Sequence, residues 1–300
     1  MLVALPPHAV AIYSRFDYVT VDVQRQRVYA AHTGSQTLLV TDGVTGAVLG
    51  QVSVGPMHGV AVDPASGMVY TGDGTDKTIS EVDPVALKVL RSVSVPGQVD
   101  GMAYDPQLHR LYADQDNGSH VFVVDTRSMT LVKSIEMPSS DLEAMAIDPA
   151  THVYYQNLAD KNAIAVVDPR TLTVTRVIPT REIHDNHPLV FDAQLDELVV
   201  GGKNGIMATY TPSGEKLAEG NVQPDIDQCS IGQSGDLEAC AGHGVVTLVK
   251  LTRGGAPRII ATYKAPPKAH TVGIDEAHRK LWIVYPSDKG DFIQALRIAE

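Results

Sequence analysis

The chain has 300 residues, 44% of them hydrophobic and 20% charged, an ordinary globular composition that excludes a disordered polymer. Lys and Arg number 24 against 35 Asp and Glu, a formal net charge of −11 with no basic cluster, so neither nucleic acid nor an anionic membrane is an expected partner. No apolar run approaches the roughly 20 residues that span a bilayer, and the opening MLVALPPHAV has neither a basic segment nor a long apolar stretch, so no signal peptide is expected in this chain.

Aromatic residues are scarce at 5%, whereas Gly (25) and Pro (18) are plentiful. Val-rich runs such as VTVDV, GVAVD, VFVVD and IAVVD dominate, and β-branched side chains favour strands over helices. No long segment carries a helical apolar period. The first apolar segment, HAVAIYS (His8 to Ser14), precedes a pattern that then recurs: an apolar strand ending in Asp, a tight turn, and an apolar–Tyr strand. In chain order it reads YVTVDVQRQRVY, GVAVDPASGMVY, GMAYDPQLHRLY, AMAIDPATHVYY, LVFDAQLDELVV, CSIGQSGDLEAC and VGIDEAHRKLWI.

Each copy parses alike. The first strand ends at an Asp (Asp63, Asp105, Asp148), whose side chain can bond back to the turn. A second strand and a polar loop (HTGSQ, GDGTDK, DQDNGS, NLADKN) follow. A third strand ends in another Asp (Asp42, Asp83, Asp125, Asp168), and a further turn leads to a fourth. The position entering each first strand holds Asp17, His58, Asp100, Glu143, His187, Asp227 and His270, spaced 40 to 44 residues apart. That period, filled by strands, predicts an all-β, seven-bladed β-propeller of four-stranded antiparallel blades, one domain over residues 1–300. The last copy lacks a fourth strand. The N-terminal strand is expected to supply it and close the ring, leaving no open edge.

The repeats resemble the YVTN family of seven-bladed propellers, a mainly bacterial and archaeal group. The stretches VYAAHTGSQTLLVTD, VYTGDGTDKTISEVD and LYADQDNGSHVFVVD stand where that family has its Tyr-Val-Thr-Asn signature. The resemblance covers essentially the whole chain and implies the fold. Functionally it implies only a broad range, from exported proteins of unassigned role to related lactonases and a lyase.

In such a ring the seven recurring positions form a crown at the upper mouth of the axial channel. Three are histidines and four are carboxylates. Crowded carboxylates repel, so a cation among them is favourable. His58, His187 and His270 are therefore expected as ligands of a divalent transition metal, Zn, Cu, Mn or Fe. The same histidines, with Glu143 and Asp227, are candidate catalytic groups, since a metal-bound water becomes a nucleophile near neutral pH. Asp17, Tyr18, Asp100, Gln228, His32, His243 and Asn157 are candidate substrate contacts on the same face. A metal-free polar pocket and a merely hydrated channel stay open as alternatives.

His109, His152 and His278 fall in bottom turns and are read as solvated. Trp282 is read as core. Cys229 and Cys240 lie opposite each other across a hairpin, within disulfide range, with reduced thiols as the alternative; a hairpin, unlike a loop, argues against a metal there. A disulfide would suit a periplasmic or extracellular setting, with the cytoplasm left open. No nucleophile elbow, P-loop, dinucleotide fingerprint or HExxH motif occurs. The expected protein is a monomer acting on a small molecule, a metal-dependent hydrolase or lyase, with a non-catalytic ligand- or protein-binding propeller as the alternative.

Overall fold

The computed structural model describes residues 1–4 and 16–299. Among them are seven four-stranded antiparallel sheets, two single 3-10 turns and no α-helix. The inner strands are Val19–Asp22, Met57–Val62, Val99–Asp105, Leu142–Ile147, Asn186–Asp192, Gln228–Ile231 and Val272–Asp275. In the first six sheets the strands pair in chain order from the inner strand outward. In the seventh the order runs Val272–Asp275, Lys280–Ser287, Gly290–Arg297 and then Leu2–Ala4. Leu2 pairs with Gln294 and Val3 with Ile293, so the N-terminal strand closes the ring. The segment His8 to Ser14, expected in that place, lies outside the described residues, and Leu2–Ala4 occupies it instead.

The turn chemistry follows the sequence. Asp105 Oδ1 accepts the backbone N–H groups of Gln107 and Leu108, both at 3.0 Å. Asp83 Oδ1 accepts those of Val85 and Ala86 at 2.9 Å, and Asp168 repeats the motif with Arg170 and Thr171. Each bend is fixed by its own carboxylate, whose pKa is lowered in Asp83 and Asp168 by those same N–H groups.

Neighbouring blades bury their faces against each other. Tyr112 stacks on Tyr154 at 4.5 Å between blades three and four. Trp282, wholly buried as expected, joins Phe16, Val28, Leu39 and Ile293 where the last blade meets the first. Burying a side chain of this size contributes about 2–3 kcal/mol. Basic side chains then bridge blades on the surface. Arg91 holds Glu81 with two hydrogen bonds and donates across to Thr126 O and Arg127 O at 3.0 and 2.7 Å. Arg25 does the same to Pro64 O and Ala65 O, and Lys280 to Gly43 O and Val44 O. The bottom-turn histidines partly join this layer: His152 Nδ1 donates to Asp105 of the preceding blade at 2.8 Å.

Candidate functional site

The crown positions come together, and a backbone device puts them there. In blades two to five, register slips by one residue between Met57 and Val60, Val99 and Met102, Leu142 and Met145, and Asn186 and Leu189. Each slip is a β-bulge holding the crown residue and its successor: His58–Gly59, Asp100–Gly101, Glu143–Ala144, His187–Pro188. A bulge bends its strand and re-aims a side chain. The successors are small or cyclic because space is short: a Cβ on Gly59 would lie 2.4 Å from Asp100 O.

Around the axis the side chains link hand to hand. His58 Nδ1–H donates to Asp17 Oδ2 at 2.7 Å and stands 3.7 Å from Asp100 Oδ1. His187 Nε2 lies 3.4 Å from Glu143 Oε1 and 3.5 Å from Asp227 Oδ1. His270 Nδ1–H donates to the other oxygen of Asp227 at 2.7 Å. Acids and imidazoles thus alternate, but a ring of seven cannot alternate throughout. The one unavoidable acid–acid junction falls between Asp100 and Glu143.

Charge collects at that junction. Burial, then Asp17, pushes Asp100 up to about 7 although His58 opposes them. Burial, then Asp100, Asp114 and Asp227, pushes Glu143 up to about 10, with Lys203 opposing. Burial pulls His58 down, but the hydrogen bond and charge of Asp17, with Asp100 and Asp116, outweigh it and hold it at about 9. His187 goes the other way: burial and Lys203 depress it, and Asp227 and Asp185 only partly compensate. His270 is raised, since Asp227 overcomes burial, and Asp227 is correspondingly lowered. One face of the crown therefore holds a protonated carboxyl beside a neutral imidazole.

Beneath the crown lies an axial cavity of about 280 Å³, lined by Tyr18, Gly101, Met102, Met145, Gln228 and Cys229 among others. Tyr18 and Gln228 follow crown positions in the chain, and both face this space. Thr271 Oγ1 bonds Gln228 Oε1 and also accepts Val19 N–H at 3.2 Å, tying blades six, seven and one together.

Several expected site residues sit elsewhere. His32 is fully buried, stacked on Phe16 at 4.3 Å and paired with Asp291 at 3.0 Å, because the end of its strand turns into the inter-blade core. His243 is 76% exposed and faces Asp225 at 3.5 Å, with no contact to the crown. Asn157 is buried; its Nδ2 donates to His187 O and Pro188 O at 2.9 and 3.1 Å, so it braces the bulge and does not line the pocket. The three imidazoles do not converge as one ligand set. They stand on blades two, five and seven, and each is drawn to carboxylates on adjacent blades. The donors that do lie within 4.8 Å of one another belong to Asp17, His58 and Asp100.

Two further residues join the site; one of them, Asp114, reads in the sequence as a top-loop residue like Asp73 and Asp116. Asp114, on a strand and not in a loop, accepts Gly101 N–H at 2.6 Å and Gln156 Nε2–H at 3.2 Å directly under the Asp100–Glu143 junction. Lys203, 3.9 Å from Asp227 Oδ1, is the crown's lysine. Its place in the loop after the second strand was legible; its reach toward the axis was not. Cys229 and Cys240 form a disulfide.

Fold and crown define a seven-bladed β-propeller with a polar, titratable centre at one mouth of its channel. No protein-family model matches the chain, and no curated protein matches it. Among solved structures it is similar to a chain of "Kuenenia stuttgartiensis Hydrazine Synthase", with TM-score 0.81 and 14% identity over 97% of this chain and 98% of that one. It is similar to "Structure of U3-55K", with TM-score 0.79 and 14% identity over 98% of each chain. A chain of "Crystal Structure of Mitotic Checkpoint Complex" gives TM-score 0.82 and 11% identity over 100% of this chain and 91% of that one. At such identities these likenesses establish the fold alone. No helix among the described residues is long and apolar enough to cross a membrane.

Proposed function

We propose that the crown binds a divalent metal and performs hydrolysis or elimination on a small molecule entering the axial mouth. The observation that carries this reading is the grouping of Asp17, His58 and Asp100 donors within 4.8 Å, on three successive blades. Two carboxylates and an imidazole suit zinc, manganese or iron. Such an ion would supply an activated water or a polarised substrate oxygen. On the opposite side, neutral His187 takes a proton at Nε2 and protonated Glu143 gives one from its carboxyl. Asp227 and His270 hold His187 in place, and Tyr18 and Gln228 contact the bound molecule. The Cys229–Cys240 disulfide supports residence in an oxidising compartment, periplasmic or extracellular. Descent from YVTN-type repeats is part of the same proposal, carried by the repeat residues.

The test is metal titration of chelator-stripped protein, with zinc and manganese as probes, followed by a panel of small esters and lactones. One equivalent should bind and be lost in His58→Ala. Turnover should fall about a hundredfold or more in His187→Gln with metal still bound. Binding that ignores His58→Ala overturns the metal site. Absence of both metal and turnover favours the competing reading, a non-catalytic docking propeller.

A further inference from the structure

The hairpin of blade six holds a second cluster, unrelated to the crown. Cys229 and Cys240 face each other with Cα atoms 4.1 Å apart. Glu238 lies two residues before Cys240 on the strand Leu237–Gly242, hence on the same face. Both sulfur atoms and a Glu238 carboxylate oxygen lie within 4.8 Å of one another. Glu238 is 1% exposed, and neither of its oxygens has a hydrogen-bond partner. Burial, and after it the charge of Asp192 on blade five, acts against its ionised form, and Asp192 is itself wholly buried with Oδ2 unpartnered.

Buried carboxylates normally meet a donor or a cation. Glu238 meets neither and lies against a pair of sulfurs, whereas Asp192 keeps one oxygen on the N–H groups of Gln194 and Leu195 at 2.9 and 3.0 Å and leaves only Oδ2 without a donor. Two cysteines on a hairpin argue against a metal by themselves; an unpartnered buried glutamate aimed at them reverses that argument. We infer that reduction of the Cys229–Cys240 disulfide converts this cluster into a zinc-type site, with two thiolates and Glu238 as ligands. Sulfur and oxygen donors of this kind select a borderline-soft divalent ion.

The chemistry balances with a dithiol as reductant. Its two electrons and two hydrogens break the S–S bond and form two protein thiols, and the reductant closes to its own disulfide. Metal binding then releases the two thiol protons, and the proton of the Glu238 carboxyl, to solvent. Cys229 lines the axial cavity, which gives reductant and ion a path from the channel.

The experiment compares oxidised protein with protein reduced by dithiothreitol and desalted without air, each titrated with zinc against a chromogenic chelator. Reduced protein should bind one zinc equivalent more than oxidised protein. Cobalt in its place should give a thiolate charge-transfer band in the near ultraviolet. Glu238→Gln should weaken this zinc by about tenfold or more. Alkylating the reduced thiols of the unmutated protein should abolish it, which avoids dependence on how a cysteine variant folds. His58→Ala should leave it intact, separating this site from the crown. Equal zinc binding in both redox states, or binding that survives alkylation, overturns the inference.

Discussion

His187 Nε2 stands 3.4 Å from Glu143 Oε1, and the two are displaced in opposite directions: the imidazole is depressed and the carboxyl raised to about 10. Near neutral pH a carboxylic acid faces a neutral imidazole across this gap. Both conditions arise mainly from burial, which disfavours either charged form. The pair is prepared to give and to receive a proton without changing net charge.

Glu143 makes the first prediction. Burial, then Asp100, Asp114 and Asp227, raises it to about 10 from an ordinary value of 4.5, with Lys203 opposing. Between those values the folded state binds the extra proton, so this group's contribution to stability falls as pH rises. Glu143→Gln keeps the shape and cannot ionise. The variant should gain on the wild type by about 3 °C or more in melting midpoint between about pH 5 and pH 9. A difference constant across that range would refute it.

His58 predicts a slope of the same sign, from a charged imidazole where Glu143 has a neutral acid. Burial lowers it, but Asp17, Asp100 and Asp116 outweigh burial and hold it at about 9, above its ordinary 6.5. A raised imidazole stabilises the fold fully below about pH 6.5, and the gain is lost as pH rises through about 9. Asp17→Asn removes the strongest of its partners. Calorimetry should show the variant's deficit to be largest near pH 6 and to shrink by about pH 10. A deficit that grows with pH would contradict the assignment.

Gly59 predicts a linked loss of packing and site geometry. A Cβ there meets Asp100 O at 2.4 Å and Met102 Cγ at 2.7 Å. Backbone cannot step aside as a flexible side chain would. Gly59→Ala should cost about 1–3 kcal/mol in denaturant unfolding and weaken metal binding at the crown by displacing Asp100. Normal stability with normal metal affinity would show that the bulge tolerates a side chain.

His32 separates stability from function. Its imidazole sits in a buried pair with Asp291 and a stack on Phe16. His32→Ala should cost about 3 kcal/mol, because it takes a hydrogen-bond partner from a buried carboxylate and empties a packed aromatic site, and should leave crown metal affinity unchanged. Loss of ligand binding at full stability would return His32 to the site.

The blades were legible in the chain because strand, turn and period are local properties. Asp-ended strands, carboxylate-capped turns and the spacing from Asp17 to His270 all appear as read. The opposition of Cys229 and Cys240 followed from hairpin register alone. His32, His243 and Asn157 were not legible in this way. Whether a residue at a strand end faces the axis, the solvent or the next blade depends on bulges and inter-blade packing that leave no local signal.

What the sequence by itself determined is the ring and the seven residues that crown it, since repetition converts equal spacing into equal position. What only the tertiary structure decided is which of them touch. His58 turned to Asp17 and His270 to Asp227, and the odd number of blades left Asp100 and Glu143 as the forced junction of like charge. Asp114 and Lys203 took their places through contacts between separate segments of the chain. Burial and charge act through space, so no reading along the chain could assign them.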